Sequence, residues 1–320
     1  MKIIGPLLSN NAHGSVANLL TFSKKKTHQH ARNKQQSNKV ITPRQQEWRF
    51  LLDFVSLKWA SMSDEQKLTY SALAKSSNKN LTGFQMFASY ALKNPKDYLD
   101  LLFCAPHVYE TSANEFTNYA DPTYNFRVIN SLSGAYKIVK RNTRKTKYTN
   151  RLILDRTYFT TYKTKLLGLT DSEFSITIMV KLIKWVETCR FFYVSESGNY
   201  ASGFQIYMDE DLRIKSAFFA SPEHYYLYPY TGYKLGEQVL ITMTYKNGIA
   251  NLYVNENLGT TTPNMVPNMA IANNVLLSGW HASSSGNIAE YSYVNIFNRQ
   301  LSSNEVAFLY KSLKTHQGDK

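Results

Sequence analysis

The chain has 320 residues, 43% of them hydrophobic, and a net charge of +14, which allows a substantial core spread over two or three domains. No run approaches the roughly eighteen apolar residues of a membrane-spanning helix. Gly5-Pro6 and Asn10-Asn11 break the N-terminal apolar stretch too early for a signal peptide, and Cys104 and Cys189 alone make neither a disulfide framework nor a zinc site.

Charge is distributed unevenly. Residues 1–50 hold nine Lys or Arg against one acid, Glu47. A second basic cluster of Lys137, Lys140, Arg141, Arg144, Lys145, Lys147 and Arg151 meets no acid between Asp121 and Asp155. Two such segments point to contact with nucleic acid or with an acidic protein lattice.

In chain order, residues 1–41 lack helical periodicity. Residues 17–22 read as one short strand, and the polar stretch that follows as an extended basic arm with Lys24, Lys25, Lys26, Arg32 and Lys34 as contact residues. His28 and His30 in that arm have no Cys or carboxylate nearby, so no metal site is expected there.

Residues 42–93 read as helices. Thr42-Pro43 supplies an N-cap with proline in the first turn, and Trp48, Leu52, Val55 and Trp59 form one apolar stripe. Ser63-Asp-Glu-Gln66 is a capping box for a second helix, with Tyr70, Leu73 and Ala74 inward. Leu81-Thr-Gly83 is a break, Phe84, Phe87, Ala88 and Ala91 make a third stripe, and Asn94-Pro95 stops it. Trp59, Ser63, Lys67, Tyr70 and Ala74 resemble the centre of a high-mobility-group box, without its long third helix. Gly14-Ser15, Thr21-Phe22-Ser23-Lys24, Pro43-Arg-Gln45, the run from Trp59 to Lys67 and Thr82-Gly83-Phe84 together resemble the N-terminal region of tailed-phage virion proteins. That likeness implies an anchoring role. Trp48 and Trp59, on the apolar stripe, are expected in the core rather than stacked on bases.

Residues 96–150 read as a connector with turn chemistry at residues 119–124, one strand from Phe126, and a basic strand or arm over residues 134–148. Lys140, Arg141, Arg144 and Lys145 are its candidate assembly or nucleic-acid contacts. From residue 151 strands recur at sandwich spacing. Phe174, Ile176, Ile178, Val180 and Leu182 alternate with Ser175, Thr177, Met179 and Lys181, the cleanest strand pattern in the chain. Asp209-Glu-Asp211 is expected at one hairpin tip and Lys246-Asn-Gly248 at another. Over residues 288–297, Ile288, Glu290, Ser292, Val294 and Ile296 alternate with Ala289, Tyr291, Tyr293, Asn295 and Phe297. Both sets carry bulk, which predicts one face in a core and the other half covered. Ser302 or Ser303 then caps a short helix whose Val306, Leu309 and Tyr310 share a face.

Gly286, Ile288, Glu290, Ile296, Asn298, Arg299, Leu301, Ser302, Glu305, Val306, Leu309 and Tyr310 resemble the closing segment of laminin-G-like (concanavalin A-like) jelly rolls. The resemblance implies a first strand at residues 152–159, and residues 255–259 resemble a further element of that family, with Glu256 where glycine is usual. It implies a fold more than a task.

Chemistry is sparse. Glycoside hydrolysis needs two acids on one face, and neighbours along a strand point opposite ways. Asp209, Glu210 and Asp211 sit on a turn beside Arg213 and Lys215, so no hydrolase is expected. His224 and His281 stand alone; calcium, common in laminin-G relatives, is left open but unsupported, since Asp155 and Asp171 are isolated. Tyr225, Tyr226, Tyr228, Tyr230 and Trp280 are the candidate glycan or protein contact, since aromatic faces stack on sugar rings.

The expectation is therefore a multidomain α + all-β chain. An extended basic N-terminal arm occupies residues 1–41, a small three-helix region 42–95, a connector with a basic strand 96–150, and a concanavalin A-like antiparallel β-sandwich, a jelly roll, 151–315. It reads as a non-enzymatic virion structural protein of capsid or tail, without cofactor. Its expected partners are other virion proteins, copies of itself, a host surface glycan and genome nucleic acid. The alternatives are a carbohydrate-binding surface adhesin and a nucleic-acid-binding protein using the basic arm and the box-like helices.

Overall fold

A computed structural model describes residues 14–16, 20–25, 28–33, 43–77, 80–105, 110–112, 115–116, 118, 126–129, 135–140, 150–155, 158–162, 169, 172–186, 188–196, 199–220, 223–230, 232–262, 267, 269, 274–277 and 287–317. The chain divides into two compact units, Met1–Ile41 and Thr42–Lys320.

In the first unit the stretch read as an arm pairs with itself. Strands β1 (Gly14–Val16), β2 (Leu20–Lys25) and β3 (His28–Asn33) form an antiparallel meander, with Ser15 opposite Thr21 and Phe22 opposite Ala31.

The second unit opens with helices. They are α1 (Pro43–Ser61), α2 (Asp64–Ser76), α3 (Gly83–Ala91) and α4 (Pro95–Leu99). Local chemistry explains their ends. Ser63 and Gln66 form the expected capping box on α2, and Thr82 with Gln85 forms a second one on α3. Helix α3 ends at Ala91, ahead of Asn94-Pro95, and Pro95 then opens α4, because proline fits the first turn, where its missing N–H is no loss. Asp100 closes α4 in the left-handed region, at φ 56°. Trp59 is half-buried against Tyr70, Phe84 and Phe87. Leu73, expected inward, is 41% exposed, since Ala74 takes the inward position of α2.

The strands follow: β4 (Leu101–Ala105), β5 (Glu110–Ser112), β6 (Glu115–Phe116), β7 (Phe126–Ile129), β8 (Ala135–Lys140), β9 (Asn150–Asp155), β10 (Tyr158–Tyr162), β11 (Glu173–Lys184), β12 (Cys189–Glu196), β13 (Asn199–Met208), β14 (Ile214–Ala220), β15 (Glu223–Tyr230), β16 (Gln238–Lys246), β17 (Ile249–Val254), β18 (Asn257–Thr262), β19 (Asn274–Leu277) and β20 (Ile288–Phe297). Helix α5 (Ser303–Gln317) ends the described chain. One sheet runs β15-β14-β13-β12-β19-β10-β7-β6-β5 and the other β18-β17-β16-β11-β20-β9-β8, with β4 paired to β20. Fold class is as read from sequence: helices with antiparallel sheets and a C-terminal sandwich.

Two details differ from the sequence reading. The single strand expected at residues 152–159 is two strands in different sheets, β9 beside β20 and β10 between β7 and β19. The stretch read as connector supplies β4, which pairs Cys104 with Asn295 and Phe103 with Ile296.

The inter-sheet core draws Phe174, Ile176, Ile178, Val239, Ile241 and Met243 from one sheet and Phe192, Phe204, Ile206 and Phe218 from the other. Phe174 stacks on Phe204 at 5.0 Å and on Tyr245 at 5.2 Å, which locks the two layers together. The opposite face of β11, β16 and β20 is not solvated. Leu51, Phe54 and Val55 of α1, Phe87 of α3 and Val306, Leu309 and Leu313 of α5 form a second cluster with Met179, Leu240, Tyr293 and Phe297. Ser175 and Thr177, on the polar side of the alternation, are therefore fully buried.

The alternation of β20 fails at one point. Tyr293 pairs Met179 but Tyr291 pairs Val180, so Ser292 is an extra residue. This bulge exchanges the faces. Ala289 and Tyr291 enter the sandwich core before it, Val294 and Ile296 after it, while Tyr293 and Phe297 face the helices.

Candidate functional site

The sequence-predicted contacts fall on several elements. Lys24 and Lys25 lie in β2, Arg32 in β3 and Lys140 at the end of β8, whereas Lys26, Lys34, Arg141, Arg144, Lys145 and Trp280 lie outside the described residues. The tyrosine run is β15, an edge strand of its sheet. Its backbone register sets Tyr225 opposite Phe218, Tyr226 opposite Ala217 and Tyr230 opposite Ile214. His28 and His30 lie in β3, His224 in β15 and Asp155 at the end of β9, while His281 and Asp171 fall outside the described residues. No group of three or more His, Cys, Asp or Glu that could hold a metal ion forms among the described residues.

Next to β15 the structure assembles a surface that sequence reading passed over. Along β12, β13 and β14 the residues that do not enter the inter-sheet core form rows on the opposite face. One row is Arg190–Tyr207–Lys215, and the next is Tyr193–Gln205–Ala217, continued by Tyr226 in backbone register. Tyr193, Ala217 and Phe219 are a small apolar cluster of their own, separate from the main core, with Tyr193 edge-on to Phe219 at 6.2 Å. They form a floor. Tyr207, Arg190 and Lys215 are only partly buried and make a rim.

Polar contacts hold that rim in place. Arg190 donates from Nε to Gln205 Oε1 at 3.0 Å. Lys215 pairs with Asp209 Oδ2 at 2.5 Å, and Arg213 Nε donates to the same oxygen at 2.9 Å. Asp209 Oδ1 accepts from the backbone N–H of Asp211 and of Arg213. Burial alone would raise the Asp209 carboxyl; the bonds from Lys215 and Arg213 overcome it and bring it down to about 2. The acidic tip is thus a structural knot, as its turn chemistry implied.

Of these rows Arg190, Tyr207 and Lys215 reach solvent, and a phenol ring between two cations can lie against a sugar ring and satisfy hydroxyl or carboxylate groups around it. The signal was in the sequence: after the core positions of each strand are removed, Arg190, Tyr193, Gln205, Tyr207, Lys215 and Phe219 remain at period two. The bulge between Arg190 and Phe192 hides it by breaking the alternation of β12.

No protein-family model matches the chain, and no curated protein does. Solved structures match in fold. The binding domain of botulinum neurotoxin DC, in complex with rat synaptotagmin II, superposes with TM-score 0.51 at 13% identity, over 67% of this chain and 52% of that one. The binding domain of botulinum neurotoxin serotype G gives 0.50 at 16% identity, over 66% and 51%. The chain spans about half the length of these structures. At this identity the likeness is one of fold.

Proposed function

We propose that this chain is a non-catalytic binding module within a virion structural protein, and that its sandwich contacts a sugar on a host surface. The observation that carries the sugar contact is the half-exposed row Arg190–Tyr207–Lys215, held by the Arg190–Gln205 bond and packed on the buried Tyr193–Phe219 pair. Planar aromatic area with fixed donors and acceptors suits a ring bearing hydroxyls, and a single acidic sugar would add a partner for Arg190 or Lys215. The tyrosine strand β15 continues the sheet beside β14. The basic residues Lys24, Lys25, Arg32 and Lys140 support attachment to an acidic partner within a particle. The fold is one that other binding domains use, which agrees with the reading without identifying a ligand.

The direct experiment is a glycan array followed by titration with the best sugar. Tyr207→Ala and Arg190→Ala each weaken binding by about tenfold, with thermal unfolding little changed. An array with no hit, or titrations that both variants leave untouched, rejects the sugar contact. Mass spectrometry of purified particles tests the virion assignment separately; persistent absence from them ends it.

A further inference from the structure

One end of the eight-stranded sheet carries aliphatic side chains held out into solvent by a rigid backbone. Ile183 is 40% exposed, Val186 52% and Leu235 52%. They come from two chain segments joined directly, since the Gly236 N–H donates to the Leu182 carbonyl at 2.9 Å. Each exposure has a built cause. Ile183 is an extra residue of β11, because Leu182 pairs Ala289 while Lys184 pairs Ile288. Val186 is pinned by its N–H to Asn287 Oδ1 at 2.7 Å, and Asn287 is itself buried. Leu235 rides a turn closed by the Glu237 N–H to the Lys234 carbonyl at 2.9 Å, with Gly236 at φ 86°. Beneath that turn the buried Tyr233 hydroxyl accepts from the Leu182 N–H and donates to the Glu237 carbonyl, both at 2.9 Å. An apolar tip that is merely tolerated needs no such bracing.

The charges around the tips decide the partner. Lys184 and Lys234 are exposed beside them. Lys181 stands opposite the buried Glu290 in register. The Glu237 carboxylate is bonded to the backbone N–H of Lys234 at 3.3 Å. The tips are branched aliphatics on a bulge, a bend and a turn, and among the described exposed charges beside them Lys184 and Lys234 outnumber Glu237. A protein hot spot favours aromatic or Arg anchors seated in pockets, whereas short aliphatic tips among lysines match the acyl–headgroup boundary of an anionic bilayer. We propose that this end of the sandwich is a peripheral docking site for an anionic lipid surface, entered by Ile183, Val186 and Leu235 and steered by Lys184 and Lys234.

Vesicle flotation with the intact chain tests it, comparing phosphatidylcholine alone with phosphatidylcholine containing phosphatidylserine. These vesicles carry no sugar, so the result is independent of the glycan reading. The chain floats with the anionic vesicles only. The triple variant Ile183→Asn, Val186→Asn, Leu235→Asn lowers the apparent affinity by about tenfold or more with thermal unfolding unchanged. Lys184→Ala with Lys234→Ala removes much of the salt sensitivity. Failure of the intact chain to float overturns the proposal. So does flotation that survives the triple variant, which would credit the basic segments elsewhere. Self-association in sedimentation that the triple variant abolishes would give the patch to a second copy and also overturn it.

Discussion

Asp209 and Arg299 each gather several partners onto one side chain, and each makes stability depend on pH in a defined direction. The Asp209 carboxyl falls from an ordinary 3.8 to about 2. Its contribution is present above the ordinary value and is lost as pH falls through the folded one. Asp209→Asn is therefore less stable than the parent at neutral pH, and the two converge between about pH 4 and pH 2 in acid-unfolding titrations. A gap that persists at pH 2 would assign the effect to packing. Arg299 holds Glu305 through a two-pronged contact, at 3.1 Å and 2.7 Å, and also donates to Asp100 Oδ2 at 3.0 Å, where Lys58 of α1 pairs as well. Burial would raise the Glu305 carboxyl, but the bonds from Arg299 and Ser302 outweigh it and hold it below its ordinary value. Glu305→Gln costs about 2 kcal/mol at pH 7, read from urea midpoints. That deficit shrinks as acid protonates the parent's own carboxylate.

Elements were legible where local chemistry is self-contained. Capping residues, the Asn247-Gly248 hairpin and the alternation of Phe174 to Leu182 all name their own structure, because the interactions lie within a few residues. Bulges were not legible. Ser292 and Ile183 look like ordinary members of a period-two run, and only the pairing with a distant strand reveals the extra residue. Arg190 and Tyr207 were missed as site residues for the same reason, while Tyr225 to Tyr230 drew notice by density alone. Close approach between helices was equally hidden. A Cβ on Gly83 would lie 2.5 Å from Ser71 Oγ and 3.0 Å from the Ser71 backbone nitrogen. Gly83→Ala therefore destabilises by about 1–3 kcal/mol despite alanine's better helix propensity. A variant that melts at or above the parent would show that α3 can shift away from α2.

Across the whole second unit, the two β layers followed from periodicity, but the third layer did not. Amphipathic stripes on α1, α3 and α5 announce that each helix packs on something; nothing local says that the something is the far side of β11, β16 and β20. The full burial of Ser175, Thr177, Thr242 and Asn295 there is the trace of that layer. A chain beginning at residue 100 keeps α5 but would strip the α1 and α3 side chains from Met179, Leu240, Tyr293 and Phe297. It is expected to bind a hydrophobic dye and to self-associate at micromolar concentration; a dye-silent monomer with the parent's melting temperature would refute the shared core.

The position of β20 has a temporal consequence. This strand sits mid-sheet, with β11 along one side and both β9 and β4 along the other. Its neighbours are all made earlier. A ribosome releasing the chain from its N-terminal end must hold three unpaired strand edges open until Phe297 emerges. Nascent chains stalled before that point should engage chaperones and resist native closure, and ones stalled after α5 should not.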